Sequence, residues 1–430
     1  MRRALFTSIL ACLLTAVAGL SAAPAASAEY KGRCLPGNTG PRCHFWQAKI
    51  SRYEDGDTIA VHINGIKGEK QIRFIGIQAM EQSVYSNKHP ERRRGECHAL
   101  AATARQEQLI KQSGGQLRLA AQHPSRDHKG RLLRSVAVKI GGSWQDLGEI
   151  LISEGHALWL PLSNETAWNP RYNQAGQEAA QKHVNLWNPT YCGNGPSQQV
   201  PLKLWVSSDP LSADTAHING EFFKLQNRSA TDSISLGRWW LRDSDHRRFT
   251  IPAGTVVGPG ETLTLHGGSG TDSGNVFYWG LRIPPFQNPG DSRHLGDGGY
   301  LFDPQGDLRA YMLYPCVVAC SSTDQGAVRV VAHPEKPEYA DFVNVSGHAV
   351  DLYGYAMWIS GSSYPFETNS VIQPGQTMRV YLAGNPRDDG RFTRYWGLPG
   401  YMLPDSGGWV KLQTFDYITL GCDAWGSGRC

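Results

Sequence analysis

Apolar and polar residues alternate in short runs along most of the chain, and three stretches repeat at helical spacing. Ile72-Arg73-Phe74-Ile75-Gly76-Ile77 and Leu132-Leu133-Arg134-Ser135-Val136-Ala137-Val138 read as strands. The first helical pattern starts near Glu96, runs through Ala99 to Ile110 and stops at Gly114-Gly115. A second runs from about Trp144 to Glu154 and ends at Gly155; a third covers Tyr172 to Val184. Gly193-Asn194-Gly195-Pro196-Ser197-Gln198-Gln199 then reads as a linker. Beyond it come only short alternating strands separated by Gly and Pro turns, the pattern of a β-sandwich.

That later region repeats itself. Leu236-Gly237 answers Leu352-Tyr353-Gly354, and Gly258-Pro259-Gly260 answers Gln373-Pro374-Gly375. Tyr278-Trp279-Gly280-Leu281 answers Tyr395-Trp396-Gly397-Leu398, and Gly298-Gly299-Tyr300 answers Gly407-Gly408-Trp409. The spacing stays near-constant, which predicts a duplicated unit of about 110 residues.

Composition sharpens the class. A length of 430 residues predicts about two to four domains. The 48 Gly, 25 Pro, 13 Trp, 17 Tyr and 13 Phe favour strands and turns over long helices. The expected fold class is therefore mainly β and multi-domain. Residues 1–28 read as a secretory signal: Arg2 and Arg3, an apolar stretch from Ala4 to Leu20, then Ala26-Ser27-Ala28 at a cleavage site. No later apolar run is long enough to span a membrane, so the mature chain is expected to be secreted, extracellular and free of the membrane. Beyond the signal, eight cysteines remain, an even count that predicts disulfides. Spacing suggests Cys34–Cys43, Cys97–Cys192, Cys316–Cys320 and Cys422–Cys430, although eight cysteines allow 105 connectivities. The rival reading of Cys316 and Cys320 is a metal site, which lacks a second ligand pair.

The formal net charge of +4 conceals an asymmetry. Residues 29–200 hold 22 Lys and Arg against 15 Asp and Glu, a net of +7, whereas 201–430 carry −5. A basic front half points to a polyanionic partner such as nucleic acid. The chemistry-bearing residues lie in that half. Asp55-Gly56-Asp57-Thr58 follows a strand, Arg73 interrupts an apolar strand, and Glu81 follows a short turn. Arg126-Asp127-His128-Lys129-Gly130-Arg131 then precedes the strand from Leu132. Two arginines with separate acids are the parts phosphodiester cleavage needs. Arginine neutralises the phosphate through paired N–H bonds, a carboxylate can take a proton from water, and a hard cation adds Lewis acidity. Arg92-Arg93-Arg94 reads either as a backbone contact for nucleic acid or as a solvated loop. His98, His128 and His156 show no metal-ligand spacing and read as surface or packed histidines.

Residues 43–190 resemble the staphylococcal nuclease (thermonuclease) family. The shared features are the Asp-Gly-Asp-Thr turn, the arginine strand with its trailing Glu, the Gly130-Arg131-Leu132 step, Glu154-Gly155-His156-Ala157 and Asn185-Leu186-Trp187. The resemblance implies an OB-fold β-barrel with packed helices and a nucleic-acid substrate, DNA or RNA. It implies catalytic roles for Arg73, Arg131 and Glu81, the arginines gripping phosphate and Glu81 acting as general base. It implies a Ca²⁺ site at Asp57, Gln78 and the Ala79 carbonyl, with Asp55 and Asp127 in support. The sequence departs from the family at Gln78, where a second metal carboxylate is expected, and at Met80, where Pro is usual. Calcium affinity follows ligand charge, so the site should be weakened. The resemblance thus leaves a Ca²⁺-assisted nuclease and a catalytically weakened or inactive nucleic-acid-binding protein, with an adhesive protein using the barrel as scaffold as a third reading. The repeated unit resembles the lamin-tail domain, an immunoglobulin-like sandwich with an accessory role. The expected layout is a signal at 1–28, the nuclease-like domain at 29–195, and two sandwiches at 196–320 and 321–430.

Overall fold

The computed structural model describes residues 29–36, 40–82, 95–192, 201–208, 218–245, 247–288, 296–399 and 401–430. The signal, Arg92-Arg93-Arg94 and the 193–199 linker lie outside the described residues.

The first unit runs β1 (Tyr30–Arg33), β2 (Arg42–Asp55), β3 (Thr58–Ile63), β4 (Glu69–Phe74), β5 (Ile77–Ala79), α1 (Ala99–Gln112), β6 (Gln116–Arg126) and β7 (Leu132–Ile140). It continues through β8 (Ser143–Asp146), α2 (Leu147–Ser153), β9 (Ala157–Trp159) and α3 (Asn169–Gln181) to a 3₁₀ turn at Asn185–Trp187. Strands β2, β3 and β4 form an antiparallel meander. β4 lies parallel to β7, β7 pairs with β6, and β6 returns to β2, closing a five-stranded barrel. Alternation fills it: Ile59, Val61, Ile72, Phe74, Leu117, Leu119, Val136 and Val138 point into one core. This is the expected OB-type barrel with packed helices.

Three helix starts differ from the periodicity, and α3 opens at Asn169, ahead of Tyr172, with Pro170 in its first turn and its end at Gln181. Trp144 belongs to β8, and α2 begins only after Asp146, whose side chain accepts the Glu149 N–H at 2.9 Å as an N-cap. α1 begins at Ala99 instead of Glu96, because His98 sits at φ 74° and turns the chain before the helix.

The next unit comprises β10 (Leu202–Ser208), β11 (Glu221–Asn227), β12 (Ile234–Ser235), β13 (Trp240–Asp243), β14 (Arg248–Thr250), β15 (Val256–Val257), β16 (Thr262–His266), β17 (Val276–Tyr278), β18 (Asp297–Phe302) and β19 (Leu308–Tyr314). Sheets β10-β11-β16-β17 and β14-β13-β18-β19 face each other across Phe223, Leu225, Leu241, Leu263, Leu265 and Leu301. The third unit repeats this order. Val328–His333, Tyr339–Asn344, Thr377–Tyr381 and Thr393–Tyr395 form one sheet; Ser362–Pro365, Tyr355–Ile359, Gly407–Thr414 and Thr419–Gly426 form the other. In both, the last strand of the first sheet is added parallel. The repetition reaches single hydrogen bonds. Asn227 Nδ2 donates to Asp232 O at 2.6 Å and Val257 O at 3.0 Å; Asn344 Nδ2 donates to His348 O at 2.7 Å and Ile372 O at 2.9 Å. Both amides are fully buried and close equivalent turns.

The units pack on one another. Met80, Leu158, Leu186 and Trp187 of the barrel unit share a buried cluster with Trp240, Tyr300, Phe302 and Leu313 of the first sandwich. Gln177 Nε2 donates to Pro315 O at 2.8 Å, and Val317 N donates to Gln177 Oε1 at 2.9 Å. Trp205 and Phe222 meet Trp358 and Phe415 between the sandwiches. Trp239 and Trp240 are buried, as core packing requires. All four expected disulfides are formed, so Cys316 and Cys320 bond each other. Among the described residues no helix is long and apolar enough to cross a membrane.

Candidate active site

Strand register brings the predicted residues together at one edge of the barrel. Thr58 opens β3 and pairs with Arg73 of β4, and Arg73 lies beside Leu133 of β7. Arg131, just ahead of β7, therefore arrives next to Thr58. Two glycines make the approach close. A Cβ on Gly56 would meet Ala79 Cβ at 2.6 Å, so only glycine lets the Asp55–Asp57 turn rest on β5. Gly76 has φ +76° and lies against the Tyr172 ring, where a Cβ would sit 2.6 Å away. That turn swings β5 off the barrel to pair with β9, Gln78 opposite Leu158.

The side chains form a continuous hydrogen-bonded row. Arg131 Nη1 donates to Thr58 Oγ1 at 3.2 Å, and Thr58 Oγ1 donates to Asp57 Oδ1 at 3.1 Å. Arg73 Nη1 lies 3.2 Å from the same oxygen and donates to the Phe74 and Ile77 carbonyls, both at 3.0 Å. Arg73 Nη2 donates to Gln78 Oε1 at 2.6 Å, and Gln78 Nε2 donates to Glu81 Oε1 at 3.3 Å. Asp57 Oδ2 accepts the Ala79 N–H at 2.8 Å. Arg73 is 8% exposed and Asp57 4%, so this pair is held almost dry. A buried ion pair needs this degree of hydrogen bonding to offset desolvation.

Asp55 and Asp127 support the row from behind. Asp55 Oδ1 accepts the Asp57 N–H at 3.1 Å. Burial, then repulsion from Asp57, pushes its carboxyl up to about 6. Asp127 Oδ2 accepts from Arg131 Nε at 2.7 Å and orients that guanidinium. Burial alone would raise the Asp127 carboxyl, but the bonds from Arg131 hold it below its ordinary range.

The expected calcium donors do not fit a calcium ion as they stand. Arg73 bridges Asp57 and Gln78, the place a cation shared by those residues would take. Gln78 Nε2 also donates to the Ala79 carbonyl at 3.2 Å. The set offers one formal negative charge, against a guanidinium, where calcium prefers several charged oxygens. Among the described residues no group of three His, Cys, Asp or Glu is placed to hold a metal.

Two features escaped sequence reasoning. Glu96 Oε2 accepts the Glu81 N–H at 2.9 Å, and Glu81 O accepts the Glu96 N–H at 2.8 Å. Nothing in spacing announces that contact. His98 Nε2 lies 2.9 Å from His156 Nδ1 although 58 residues separate them. The β5–β9 pairing, which sets His156 beside the end of β5, is the origin of that meeting. A groove of ≈ 460 Å³ lined by Arg118, Trp144, Glu149, Trp168 and Arg171 lies elsewhere on the unit and contains none of the row.

Comparison with known families agrees with this geometry. Residues 71–189 match the model for the staphylococcal nuclease homologue family, and residues 206–315 match the model for the lamin tail domain. No curated protein matches the chain. The barrel, the arginine–carboxylate row and the two family matches lead to one conclusion: the chain carries a staphylococcal nuclease-type domain followed by a lamin tail domain.

Proposed function

We propose that the chain is a secreted phosphodiesterase that hydrolyses nucleic acid, with Arg73, Arg131 and Glu81 as its working groups. The observation that carries this reading is the single row from Arg131 through Thr58, Asp57, Arg73 and Gln78 to Glu81. A phosphodiester bound along it would meet guanidinium charge from Arg131 and Arg73. Glu81 would take the proton from the attacking water. No step is routed through calcium, because Arg73 stands between the expected ligands. The disulfides and the expected signal support secretion. The division at 29–195, 196–320 and 321–430 follows from the same reading, with the sandwiches as accessory units.

One observation favours a second reading. Gln78 Nε2 donates to Glu81 Oε1, occupying a lone pair the base would use. A domain arranged in this way can bind a phosphate backbone without turning it over.

The test is release of acid-soluble nucleotides from single- and double-stranded DNA and RNA by the oxidised mature chain, in chelator and then with Ca²⁺ up to about 10 mM. The expected result is turnover that survives chelator and is lost in Glu81→Ala. Steep calcium dependence would mean that Arg73 and Gln78 rearrange around the ion. Salt-sensitive DNA binding with no release at any calcium level would establish the second reading.

A further inference from the structure

The nuclease-type domain does not hold Glu81 alone. The strand that carries Gln78, β5, ends at Ala79; the chain is described on to Gln82 and again from Gly95. The two ends are tied by the paired bonds between Glu81 and Glu96, and Gln82 Nε2 donates to Thr103 Oγ1 at 2.7 Å. The side chain of Glu96 is 8% exposed. A carboxylate that buried needs a cation, or it surrenders its charge.

The first sandwich supplies one. Arg248 Nη1, on β14, lies 4.0 Å from Glu96 Oε1. The guanidinium is fixed by stacking: its carbon sits 4.1 Å from the Trp240 ring centroid, and Trp240 stacks on Phe302 at 4.1 Å and 6°. Burial works against the Arg248 charge while Glu96 supports it. The same hairpin grips the chain on the other side of Glu81. Met80 is 2% exposed, packs in the cluster with Trp240 and Phe302, and receives Arg242 Nη1 on its sulfur at 3.9 Å. This contact accounts for Met80 where the nuclease resemblance expects Pro, since proline has no side chain long enough to reach the hairpin.

We propose that Arg248 is a positioning residue for Glu81, acting through Glu96. The β13–β14 hairpin of the lamin tail domain is then a built-in wall of the nuclease site. The inference rests on the role proposed for Glu81. It assigns the sandwich a part in the site itself, beyond targeting or spacing.

The experiment compares the full chain with Arg248→Ala, Arg248→Lys, Glu96→Gln and the Arg248→Ala/Glu96→Gln double variant. Loss of Arg248 should lower kcat by roughly 10-fold with KM little changed, since small displacements of a reacting group cost factors of 10 to 100. Arg248→Lys should recover part of the lost kcat, and the double variant should be no worse than the worse single. A merely structural role would lower the melting temperature and leave kcat of the folded enzyme in place, which overturns the proposal. Selective ¹³C and ¹⁵N labelling of glutamate gives a readout independent of turnover. If the wild type releases no nucleotide, the hydrolase reading fails. The positioning claim then stands only if Arg248→Ala shifts the Glu81 amide resonance, and falls if that resonance stays put.

Discussion

At the scale of the residue, Gln78 decides most. It accepts from Arg73 and donates to Glu81, so one neutral side chain links the proposed phosphate grip to the proposed base. Gln78→Asp would add a second charge beside Asp57 and remove the amide that covers the Ala79 carbonyl. Calcium affinity should then tighten by at least about 10-fold, read by calorimetry or by lanthanide luminescence. Unchanged affinity would mean that Arg73 keeps its place between the two carboxylates. Asp55 offers a second test. Its folded-state carboxyl titrates near 6, above the ordinary 3.8, because of burial and the Asp57 charge. A raised carboxyl favours folding while it is protonated, and that contribution is lost as pH climbs from about 4 through 6. Asp55→Asn keeps the acceptor for the Asp57 N–H but removes the charge. Its stability relative to wild type should rise across that window, by ~3 kcal/mol at most. Denaturant titrations at pH 4 and pH 8 measure the difference; a pH-independent offset would refute the assignment. His98 works in the opposite sense. Burial and the neighbouring His156 pull it down to about 4, so it weakens the fold as pH falls from about 6.5. At this scale Asp57, Arg73, Arg131 and Glu81 were legible because each sits in a short motif. Glu96 and the His98–His156 contact were not, since only tertiary pairing creates them.

At the scale of the element, strands were more legible than helix starts. Apolar runs located β7 and the end of β4, but Ile72–Ile77 is not one strand: β4 ends at Phe74, the chain turns at Gly76 and β5 begins at Ile77. The offset repeats correspond to real elements: Thr262–His266 answers Thr377–Tyr381, and the parallel edge strand Val276–Tyr278 answers Thr393–Tyr395. Helical periodicity misplaced α2, since Trp144-Gln145 can serve either pattern. The overlooked signal was local chemistry, an Asp at 146 with Glu149 three residues later. Asp146 does more than cap. Its Oδ1 also accepts the Tyr172 hydroxyl at 2.6 Å, and its Oδ2 accepts the Ser135 hydroxyl at 2.7 Å. Tyr172 is 1% exposed, so its O–H has no water to turn to. Asp146→Ala should therefore cost about 2–4 kcal/mol, beyond the roughly 1 kcal/mol of a simple cap. Chemical denaturation of the full chain checks this. A loss limited to about 1 kcal/mol would mean that Tyr172 finds another partner.

At the scale of the whole molecule, the linker pattern marked a boundary between units, and across it the structure shows an apolar seam. The sequence did not mark Met80, Leu158, Leu186 and Trp187 as docking residues, because nothing in their spacing separates a domain core from a surface that docks on a neighbour. At the seam the basic front unit and the acidic sandwiches meet through aromatic and aliphatic contacts, with Arg242 on Met80 and the Arg248–Glu96 pair beside them. Trp187 lies at its middle, 2% exposed, edge-on to Tyr311 at 4.9 Å and tilted against Tyr300 at 6.1 Å. An interface packed like a core should couple the unfolding of the units on either side. Calorimetry of the oxidised chain should show the nuclease-type domain and the first sandwich melting in one transition. Trp187→Ala leaves a large void between them and should cost about 3–5 kcal/mol. It should also split that transition, because the barrel and the sandwich keep their own cores while losing their shared one. Nuclease release, if present, should then fall along with the seam, since Met80, next to Glu81 in the chain, packs on that wall. Two separate transitions already in the wild type would break this coupling, and with it the claim that the lamin tail domain and the nuclease site form one working body.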